Sequence, residues 1–366
     1  MKVALLAFNF SEYCIRLAGG IAQDQQTEVL LLLPRDDATP YLHLLDKSIQ
    51  LRLFDKPKLR QPVEQARTVA QIVRHINTFH PDLIHLQQGH LWFNILGLPL
   101  LRSYPLVLTV HDSVIHLGDK ASSKTPQWIY DHGCYRARQR IVHALQMRDL
   151  LLQRLHIPSR TVHVVPHVFI GDDTELIEAT PNDETLRILF FGRIWEYKGL
   201  EYLIRAEPLI TARVPHAKIL IAGVGESLDR YRRMMVHPEQ FIVHNEYISD
   251  AKRAELFRQA SVVVLPYIEA SQSGVIPMAY RFGKPVVATT VGGLPEMVDN
   301  DRTGYLVPPR CPDSLADAIV RLLQNPEMRR SFGQNGRTKV NTECAPEFVG
   351  QLTRIVYREA LASTLQ

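Results

Sequence analysis

The sequence predicts an α/β protein built from two doubly wound parallel-sheet domains. Short apolar runs without polar alternation recur along the chain, as expected for strands buried on both faces of a parallel sheet, and segments with helical spacing separate them. This alternation occurs twice, on either side of a polar run at residues 171–184. A chain of 366 residues is also too long for one ordinary core. We therefore predict domains at 1–170 and 171–345, and an amphipathic helix at 346–366 that can pack on either domain.

The first half contains the strands of the first predicted sheet. These strands fall at 3–8, 29–33, 49–54, 83–86, 106–110, 141–143 and 161–165, with helices at 14–23 and 63–79. The first helix contains Gly19 and Gly20, a candidate point of close approach for a ligand or for another backbone. Tight helix-to-sheet packing is an equally good interpretation of the glycine pair.

The strand at 106–110 ends in His111 and Asp112. Ligands of alternating strand-helix folds bind at the carboxyl ends of strands, so His111 is a candidate functional residue. A neutral imidazole can hydrogen-bond a sugar hydroxyl or take up a proton near neutral pH. A lone histidine is usually structural, but its place at the strand end favours a function.

The second half repeats the strand-helix alternation. Strands are predicted at 188–191, 217–222, 241–247, 262–265 and 286–288, and helices at 199–210, 251–259, from 275, at 312–323, 326–332 and 346–361. After the second of these strands, Gly223 and Gly225 form a Gly-x-Gly turn that lacks the third glycine of the dinucleotide fingerprint. The turn is therefore weak evidence for a nicotinamide cofactor.

Two loops of the second half carry candidate ligand-binding side chains. The first follows the strand at 188–191, where Gly192 allows a tight turn and Arg193 and Lys198 lie between a strand end and a helix start. This arrangement favours an anion such as phosphate. The second loop contains Glu269, an acceptor suited to sugar hydroxyls, and then Gln272, Ser273 and Gly274, which precede a helix and offer backbone donors to a phosphate. Solvated loop charges are the alternative interpretation. A ligand with anionic and hydroxyl parts, such as a sugar nucleotide, fits both loops.

Composition restricts the class of protein. With 46% hydrophobic and 22% charged residues, the chain is typical of a soluble globular protein. A net charge of +4 suits an anionic small molecule or a membrane surface without requiring nucleic acid. The four cysteines are far apart in the sequence and indicate neither disulfides nor a zinc site. The sequence shows no pattern of a signal peptide or of a membrane span. We therefore expect a cytoplasmic protein with at most peripheral membrane contact. The one basic cluster, interpreted as a solvated helix face, comprises Arg136, Arg138, Arg140, Arg148, Arg154 and Arg160.

A set of motifs in the second half resembles the retaining glycosyltransferases of family four, which have the GT-B fold. The matching segments, in order, are Phe191-Gly192-Arg193 with Lys198-Gly199, Ala222-Gly223-Val224-Gly225, Glu269 to Gly274, Gly283 to Thr289 and Gly292 to Glu296. The match is looser in the first half, where it covers Gly19-Gly20 and Thr109 to Asp112.

The resemblance implies two Rossmann-like domains that face each other across a cleft, a nucleotide diphosphate sugar as donor and no metal or other cofactor. It also implies that Arg193 and Lys198 bind the donor diphosphate, together with donors from Gln272, Ser273 and Gly274. Glu269 would hold sugar hydroxyls, and His111 would contact the donor sugar near the reacting carbon. The acceptor is a glycan, a lipid-linked sugar or a small molecule, as in polysaccharide biosynthesis.

The chain departs from the family pattern at two points. The family normally has a second glutamate eight residues after the first, which holds the nucleotide ribose, and here Pro277 occupies that position, or Met278 if one gap is allowed. Pro166-His167 stands where many relatives have proline-asparagine-glycine. A degenerate, non-catalytic member that binds a ligand or a partner glycosyltransferase is therefore an alternative hypothesis, and a nicotinamide oxidoreductase is a weaker one.

Overall fold

The computed structural model describes residues 1–112, 126–171 and 186–362, and the predicted linker lies outside these ranges except for Gly171. The chain divides into two compact units. The described residues of the first unit are 1–112, 126–170 and 343–362, and those of the second are 171 and 186–342. Each unit has a parallel sheet of its own, so the predicted pair of doubly wound sheets is confirmed.

The sheet of the first unit has seven parallel strands in the order β3-β2-β1-β4-β5-β6-β7. The strand bounds are β1 Lys2–Ala7, β2 Glu28–Pro34, β3 Gln50–Phe54, β4 Leu83–Gln87, β5 Leu106–Thr109, β6 Gln139–Val142 and β7 Val162–Val164. The order reverses at β1, which pairs with β2 on one side and with β4 on the other. This reversal is a topological switch point, next to which open α/β sheets bind their ligands.

Helices cover both faces of this sheet. Their bounds are α1 Ser11–Ala22, α2 Arg35–Ala38, α3 Pro62–Phe79, α4 Leu98–Leu100, α5 Gln127–Arg136, α6 Leu145–Leu155 and, from the carboxyl terminus, α14 Pro346–Ala362. Successive residues of β1 enter opposite cores, with Ala4 and Leu6 in one cluster and Leu5 in the other. Helix α3 lies over the first of these clusters, whereas α1 and α14 lie over the second.

The sheet of the second unit has six parallel strands in the order β10-β9-β8-β11-β12-β13. The strand bounds are β8 Arg187–Phe191, β9 Lys218–Ala222, β10 Phe241–His244, β11 Val262–Leu265, β12 Val286–Thr289 and β13 Gly304–Val307. Its order reverses at β8, which pairs with β9 and β11. The turn that follows β8 therefore lies at the switch point of this sheet.

The helices of the second unit include one that is longer than the sequence predicted. Their bounds are α7 Leu200–Thr211, α8 Asp229–Arg232, α9 Asp250–Gln259, α10 Val275–Arg281, α11 Leu294–Met297, α12 Pro312–Leu323 and α13 Pro326–Glu343. The predicted end of α13 at Phe332 is wrong. The next residue, Gly333, packs against the carbonyl of Gly283, where a Cβ would lie 1.9 Å from the oxygen. Glycine weakens the interior of a helix, but only glycine leaves room for this contact. The helix therefore continues through Gly333.

The predicted solvated helix face formed by six arginines is wrong. These arginines are spread over α5, β6, α6 and the segments beside them. Arg140 is buried and its Nε donates to the carbonyl of Cys134 at 2.7 Å. Arg154 forms an ion pair with Asp131 at 2.7 Å. At least these two charges therefore stabilise the packing of the first unit instead of forming a free basic surface.

Within the described ranges, none of the helices has the length and apolar character that crossing a bilayer requires.

Candidate functional site

Glycines hold the loops at the switch point of the second sheet close together. Gly192 follows β8 and has a φ of +116°, and a Cβ at Gly223 would lie 1.8 Å from the carbonyl oxygen of Gly192. Only glycine allows the turns after β8 and β9 to approach this closely. One residue further on, the exposed Arg193 is followed by Ile194, whose backbone pairs with Gly225. The loop that carries the guanidinium is thus fixed to its neighbour by backbone contacts.

The ammonium group of Lys198 lies over an aromatic ring. Its Nζ is 3.8 Å from the ring centroid of Tyr267 and 4.9 Å from that of Tyr197. The carbonyl of Tyr197 accepts a hydrogen bond from the amide of Ile268 at 2.8 Å, one residue before Glu269. The cationic turn and the carboxylate loop, which the sequence presented as separate motifs, are therefore joined. The cation–π contacts hold the ammonium at the junction.

Tyr267 connects several of the candidate residues, and the sequence analysis did not single it out. Its ring is fully buried, its hydroxyl lies 3.4 Å from Ser273 Oγ, and its carbonyl accepts a hydrogen bond from Thr289 Oγ1 at 2.7 Å. Burial raises the pKa of Tyr267 to about 12, against the opposing effects of the Ser273 hydrogen bond and the Arg193 charge. An aromatic residue two positions after the end of β11 was the signal that could have identified it.

The carboxylate loop combines exposed and buried polar groups. Glu269 is exposed, whereas Ser273 is buried and its Oγ accepts a hydrogen bond from the amide of Val275 at 3.3 Å. Gly274 is the residue that precedes α10. The Oε1 atom of Gln272 is buried and accepts no hydrogen bond from any group in the described parts of the chain. A buried acceptor of this kind is costly unless a ligand or water donates to it.

Pro277 and Met278, the two candidate positions of the second family glutamate, are both buried in α10. The side chains of α10 are apolar except for Tyr280 and Arg281. This helix therefore offers no carboxylate for a ribose.

The first unit places His111 in a cluster of buried rings at the carboxyl ends of its strands. His111, His143 and His167, the histidine cluster, have ring centroids 5.0, 5.1 and 6.0 Å apart. The ring of Tyr13 meets all three, and Phe10 stacks on His111 with a centroid separation of 4.2 Å. The sequence predicted His111 alone. His143 and His167 follow β6 and β7, and the parallel strands bring them beside it.

Each histidine of the cluster uses one ring nitrogen in a hydrogen bond. His111 Nε2 lies 3.0 Å from Gln87 Oε1, His143 Nδ1 lies 2.9 Å from the Val165 carbonyl, and His167 Nδ1 lies 2.6 Å from the Val168 carbonyl. The opposite nitrogens of His111 and His143 are buried and have no partner in the described parts of the chain. Since carbonyl oxygens only accept, Nδ1 carries the proton in His143 and in His167.

Burial keeps the histidine cluster neutral. It lowers the pKa of His111 well below 6.5, that of His143 to about 4 and that of His167 to about 3. The neighbouring imidazoles lower the pKa of His111 further, because two charged rings would repel each other. This lowered pKa argues against proton uptake by His111 near neutral pH, one of the two predicted roles. Hydrogen bonding to a hydroxyl stays a prediction.

The glycine pair in the first unit lies inside helix α1 and does not form a loop. A Cβ at Gly20 would lie 1.7 Å from the carbonyl oxygen of Pro346, at the start of α14, whereas a Cβ at Gly19 would meet no atom within 4 Å. The close approach at Gly20 is thus made by another backbone. It is helix-to-helix packing, and the predicted helix-to-sheet packing is wrong.

No group of three or more histidine, cysteine, aspartate or glutamate side chains is placed to hold a metal ion in the ranges that the structure describes.

Family models match both halves of the chain. Residues 11–169 match the model described as Glycosyltransferase Family 4, and residues 185–325 match the model described as Glycosyl transferases group 1. A D-inositol 3-phosphate glycosyltransferase of Saccharomonospora viridis is 31% identical over 314 residues, which are 77% of this chain and 71% of that protein.

The chain belongs to the family 4 glycosyltransferases.

Other glycosyltransferases are also similar to this chain. The alpha-D-kanosaminyltransferase of Streptomyces kanamyceticus is 25% identical over 74% of this chain and 73% of its own length. An uncharacterized glycosyltransferase of Methanocaldococcus jannaschii is 32% identical, but the match spans only about half of each protein, 49% of this chain and 46% of the relative. The predicted family and the predicted class of enzyme, a glycosyltransferase, are confirmed.

Solved structures share the fold of the glycosyltransferase. HepE of Anabaena, in complex with UDP and glucose, has a TM-score of 0.74 at 18% identity and covers 98% of this chain and 100% of its own. The sucrose-phosphate synthase of Thermosynechococcus elongatus has a TM-score of 0.72 at 19% identity, over 99% and 100% of the two chains. These similarities confirm the predicted GT-B fold class.

Proposed function

We propose that this glycosyltransferase transfers a glycosyl group from a nucleoside diphosphate sugar to a hydroxyl of its acceptor, with retention of anomeric configuration. One observation carries the proposal. Arg193 and Lys198 lie on the loop after β8, at the switch point of the second sheet. The ammonium of Lys198 lies over the buried ring of Tyr267, and the charge of Arg193 opposes the rise in the pKa of the same residue. Two cations at this position are suited to a pyrophosphate.

The two cations take different parts in holding the diphosphate. The guanidinium of Arg193 can bind two phosphate oxygens at once, whereas the ammonium of Lys198 acts as a point charge that the ring of Tyr267 holds in place. Positive charge fixed beside the leaving group is most valuable as the bond to the sugar breaks, because negative charge then accumulates on the phosphate. Ser273 and Gly274 add donors from the loop before α10.

Neutral and acidic groups are proposed to recognise the sugar. Glu269 accepts hydrogen bonds from sugar hydroxyls, and the unpartnered Oε1 of Gln272 accepts another. His111, neutral because of its burial, accepts from a hydroxyl of the donor sugar near the reacting carbon, as the family resemblance implies. These groups distinguish a glycosyl donor from a plain nucleotide.

The proposed reaction breaks the bond between the anomeric carbon and the phosphate oxygen. An oxocarbenium-like state follows, and the acceptor oxygen attacks from the face that the diphosphate leaves. The acceptor proton passes to the leaving phosphate oxygen, so that the products are the glycoside and the nucleoside diphosphate. In this scheme the charge of the leaving group is held by Arg193 and Lys198, and no metal or other cofactor takes part.

A uridine nucleotide is the first donor to test. The HepE structures contain UDP, UDP-glucose, or UDP with glucose. The residue in place of the second family glutamate, Pro277 or Met278, has no carboxylate for the ribose. We therefore propose that ribose recognition here uses backbone groups of the loops around β9 and β11. Several relatives are named D-inositol 3-phosphate glycosyltransferases, so we propose a hydroxyl of a small molecule as one acceptor and extend the proposal to glycan and lipid-linked hydroxyls.

The test combines nucleotide binding with transfer. UDP, GDP and ADP are screened for stabilisation of the full chain against heat, since a ligand of the native state raises its apparent stability. The nucleotide that stabilises is then supplied as its sugar conjugates, and release of the nucleoside diphosphate is measured. We expect Arg193→Ala and Lys198→Ala each to lower kcat/KM by roughly 10²–10³-fold, and Glu269→Ala to lower it as well.

A matched control is Arg213→Ala. This arginine is also on the second unit and pairs with Asp317 at 2.7 Å, but it follows the carboxyl end of α7, whereas the loop of Arg193 and Lys198 precedes the amino end of that helix. We expect its removal to leave binding and transfer unchanged. Absence of stabilisation by all three nucleotides, together with absence of transfer, would overturn the proposal in favour of a non-catalytic binding protein.

We also propose that the enzyme works in the cytoplasm and contacts membranes only peripherally. The four cysteines form no disulfides with one another, which suits a reducing compartment. Co-sedimentation with vesicles that contain anionic lipid, compared with neutral vesicles, tests the peripheral contact.

A further inference from the structure

A buried chain of hydrogen bonds connects His111 to the carboxyl-terminal helix of its own unit. His111 Nε2 lies 3.0 Å from Gln87 Oε1, and Gln87 Nε2 lies 3.1 Å from His85 Nε2. His85 Nε2 also lies 2.7 Å from the hydroxyl of Thr109, and His85 Nδ1 lies 2.7 Å from the hydroxyl of Tyr357 in α14. All five side chains are almost completely buried. A network of this kind restricts where each proton can be.

The protons of this network can be arranged in two ways. In the first, His111 Nε2–H donates to Gln87 Oε1, the amide of Gln87 donates to His85 Nε2, and His85 Nδ1–H donates to Tyr357. In the second, the amide of Gln87 is reversed and donates to His111 Nε2, so that the proton of His111 moves to Nδ1. That Nδ1 is buried and has no acceptor among the residues the structure describes.

The first arrangement is favoured by the cost of unpaired donors. It leaves only a lone pair unsatisfied at His111 Nδ1, whereas the second leaves a buried N–H without an acceptor. Orphaned buried N–H groups are rare in folded proteins, and under-satisfied acceptors are less so. The amide of Gln87 therefore fixes the tautomer of His111, much as the partner of one ring nitrogen fixes the other in catalytic and metal-binding histidines.

We propose that Gln87 is a positioning residue that holds His111 as the Nε2–H tautomer, so that its Nδ1 lone pair is presented to a hydroxyl hydrogen of the donor sugar. Phe10, stacked on the ring at 4.2 Å, fixes its plane, and Gln88 Oε1 accepts from the backbone amide of His111 at 2.9 Å. The ring can then accept a hydrogen bond but not donate one from Nδ1. The sugar part of this inference rests on the proposed function, whereas the tautomer does not.

The tautomer can be measured directly. In protein labelled with ¹⁵N-histidine, the two ring nitrogens of each tautomer have different chemical shifts, and the His111 signals are assigned by their loss in His111→Asn. We expect wild-type His111 to be protonated at Nε2 across pH 6–8. Protonation at Nδ1 in the wild type would overturn the inference.

Three substitutions separate tautomer control from general packing. Gln87→Met, which is close in size but has no amide, should give a mixture of His111 tautomers and lower kcat/KM about tenfold, the effect of one lost hydrogen bond. Gln88→Met is the matched control, because it removes only the contact to the backbone amide; the tautomer should stay unchanged. Tyr357→Phe removes the acceptor of His85 Nδ1 without a change in shape and should give a partial shift of the His111 tautomer.

The outcomes keep the two proposals distinct. A shift of the tautomer in Gln87→Met and Tyr357→Phe supports the inference even if no sugar nucleotide proves to be a substrate. If the tautomer is the same in wild type, Gln87→Met and Tyr357→Phe, the inference is wrong, whatever the transfer activity. If Gln87→Met does not fold, the Tyr357→Phe spectrum decides.

Discussion

The two units both place their candidate residues at the carboxyl ends of parallel strands but give them opposite physical character. In the second unit these residues follow β8 and β11, which pair at the switch point, whereas in the first unit they follow β5, β6 and β7. The first unit fills these strand ends with buried, neutral rings, His111 among them, that hydrogen-bond to carbonyl oxygens. The second unit leaves an exposed guanidinium and an ammonium on loops held by close backbone contacts.

This difference shows that the parallel sheet sets only where a site forms. What the site can bind depends on the first few residues after each strand. Buried neutral imidazoles can recognise hydroxyls but cannot neutralise a phosphate, whereas cations near solvent can bind a phosphate without the full cost of desolvation. The residues of the second unit therefore suit the diphosphate of a sugar nucleotide, and those of the first unit suit hydroxyl groups.

Acidification should destabilise the first unit much more than the second, and this is the largest difference that we expect between them. Burial lowers the pKa of His85 to about 3, of His143 to about 4 and of His167 to about 3, and that of His111 well below 6.5. The unfolded chain, with pKa values near 6.5, takes up these protons first as the pH falls. Stability is thus complete above about pH 6.5, and each histidine costs about 1 kcal/mol between pH 6.5 and 5.5, or about 4 kcal/mol together.

The histidines of the second unit within the described ranges are half-buried or exposed, so its loss should be much smaller. Urea denaturation at pH 7.5 and 5.5, resolved unit by unit by pulse-labelling hydrogen exchange, measures the difference. Equal losses in both units would contradict this expectation.

Gly223→Ala should disrupt the second unit and spare the first. The new Cβ would lie 1.8 Å from the carbonyl oxygen of Gly192, at a φ of +144° that L-residues rarely adopt. We expect a loss of at least about 3 kcal/mol in the free energy of unfolding of this unit, together with loss of nucleotide binding. Val224→Ala, at a side chain that is 43% exposed, is the control and should change little. Calorimetry with and without nucleotide measures both effects.

Tyr267 tests whether an aromatic ring holds the cation in the second unit. Tyr267→Phe keeps the ring under Lys198 and loses only the long 3.4 Å contact to Ser273, so nucleotide affinity should stay within about twofold of wild type. Tyr267→Leu removes a cation–π contact of about 1 kcal/mol and should weaken binding several-fold. Titration calorimetry measures the affinities. Equal losses in the two variants would assign the role to the hydroxyl and not to the ring.

Gly19→Ala should show that the glycines of the first unit, unlike those of the second, do not belong to a site. A Cβ at this position meets no atom within 4 Å, so the helix should gain about 0.5–1 kcal/mol from the better helix former. Transfer activity should be unchanged. Gly20→Ala is the paired variant and should destabilise the protein, because its Cβ would collide with the backbone of Pro346. Thermal unfolding and a transfer assay give both results, and a loss of activity in a stable Gly19→Ala would restore the ligand interpretation.

Most of the elements could be predicted because their signals are local. Four apolar residues without alternation at Ile188–Phe191 identify a strand buried on both faces, and Pro312–Leu323 has the helical spacing that the structure gives it. The motifs around Arg193 and Glu269 could likewise be found from neighbouring residues. The sequence by itself thus determined the fold class, the family and the loops that carry the candidate site.

Only the tertiary structure decided which residues complete that site. Tyr267 supports Lys198 from a loop almost seventy positions away, His143 and His167 join His111 because parallel strands end side by side, and His85 meets Tyr357 across most of the chain length. Hydrophobic periodicity records which face of an element is buried, but it carries no information on which distant side chain will lie against that face. Burial then lowered the pKa of His111, and no local pattern of residues specifies how deeply a strand end is covered.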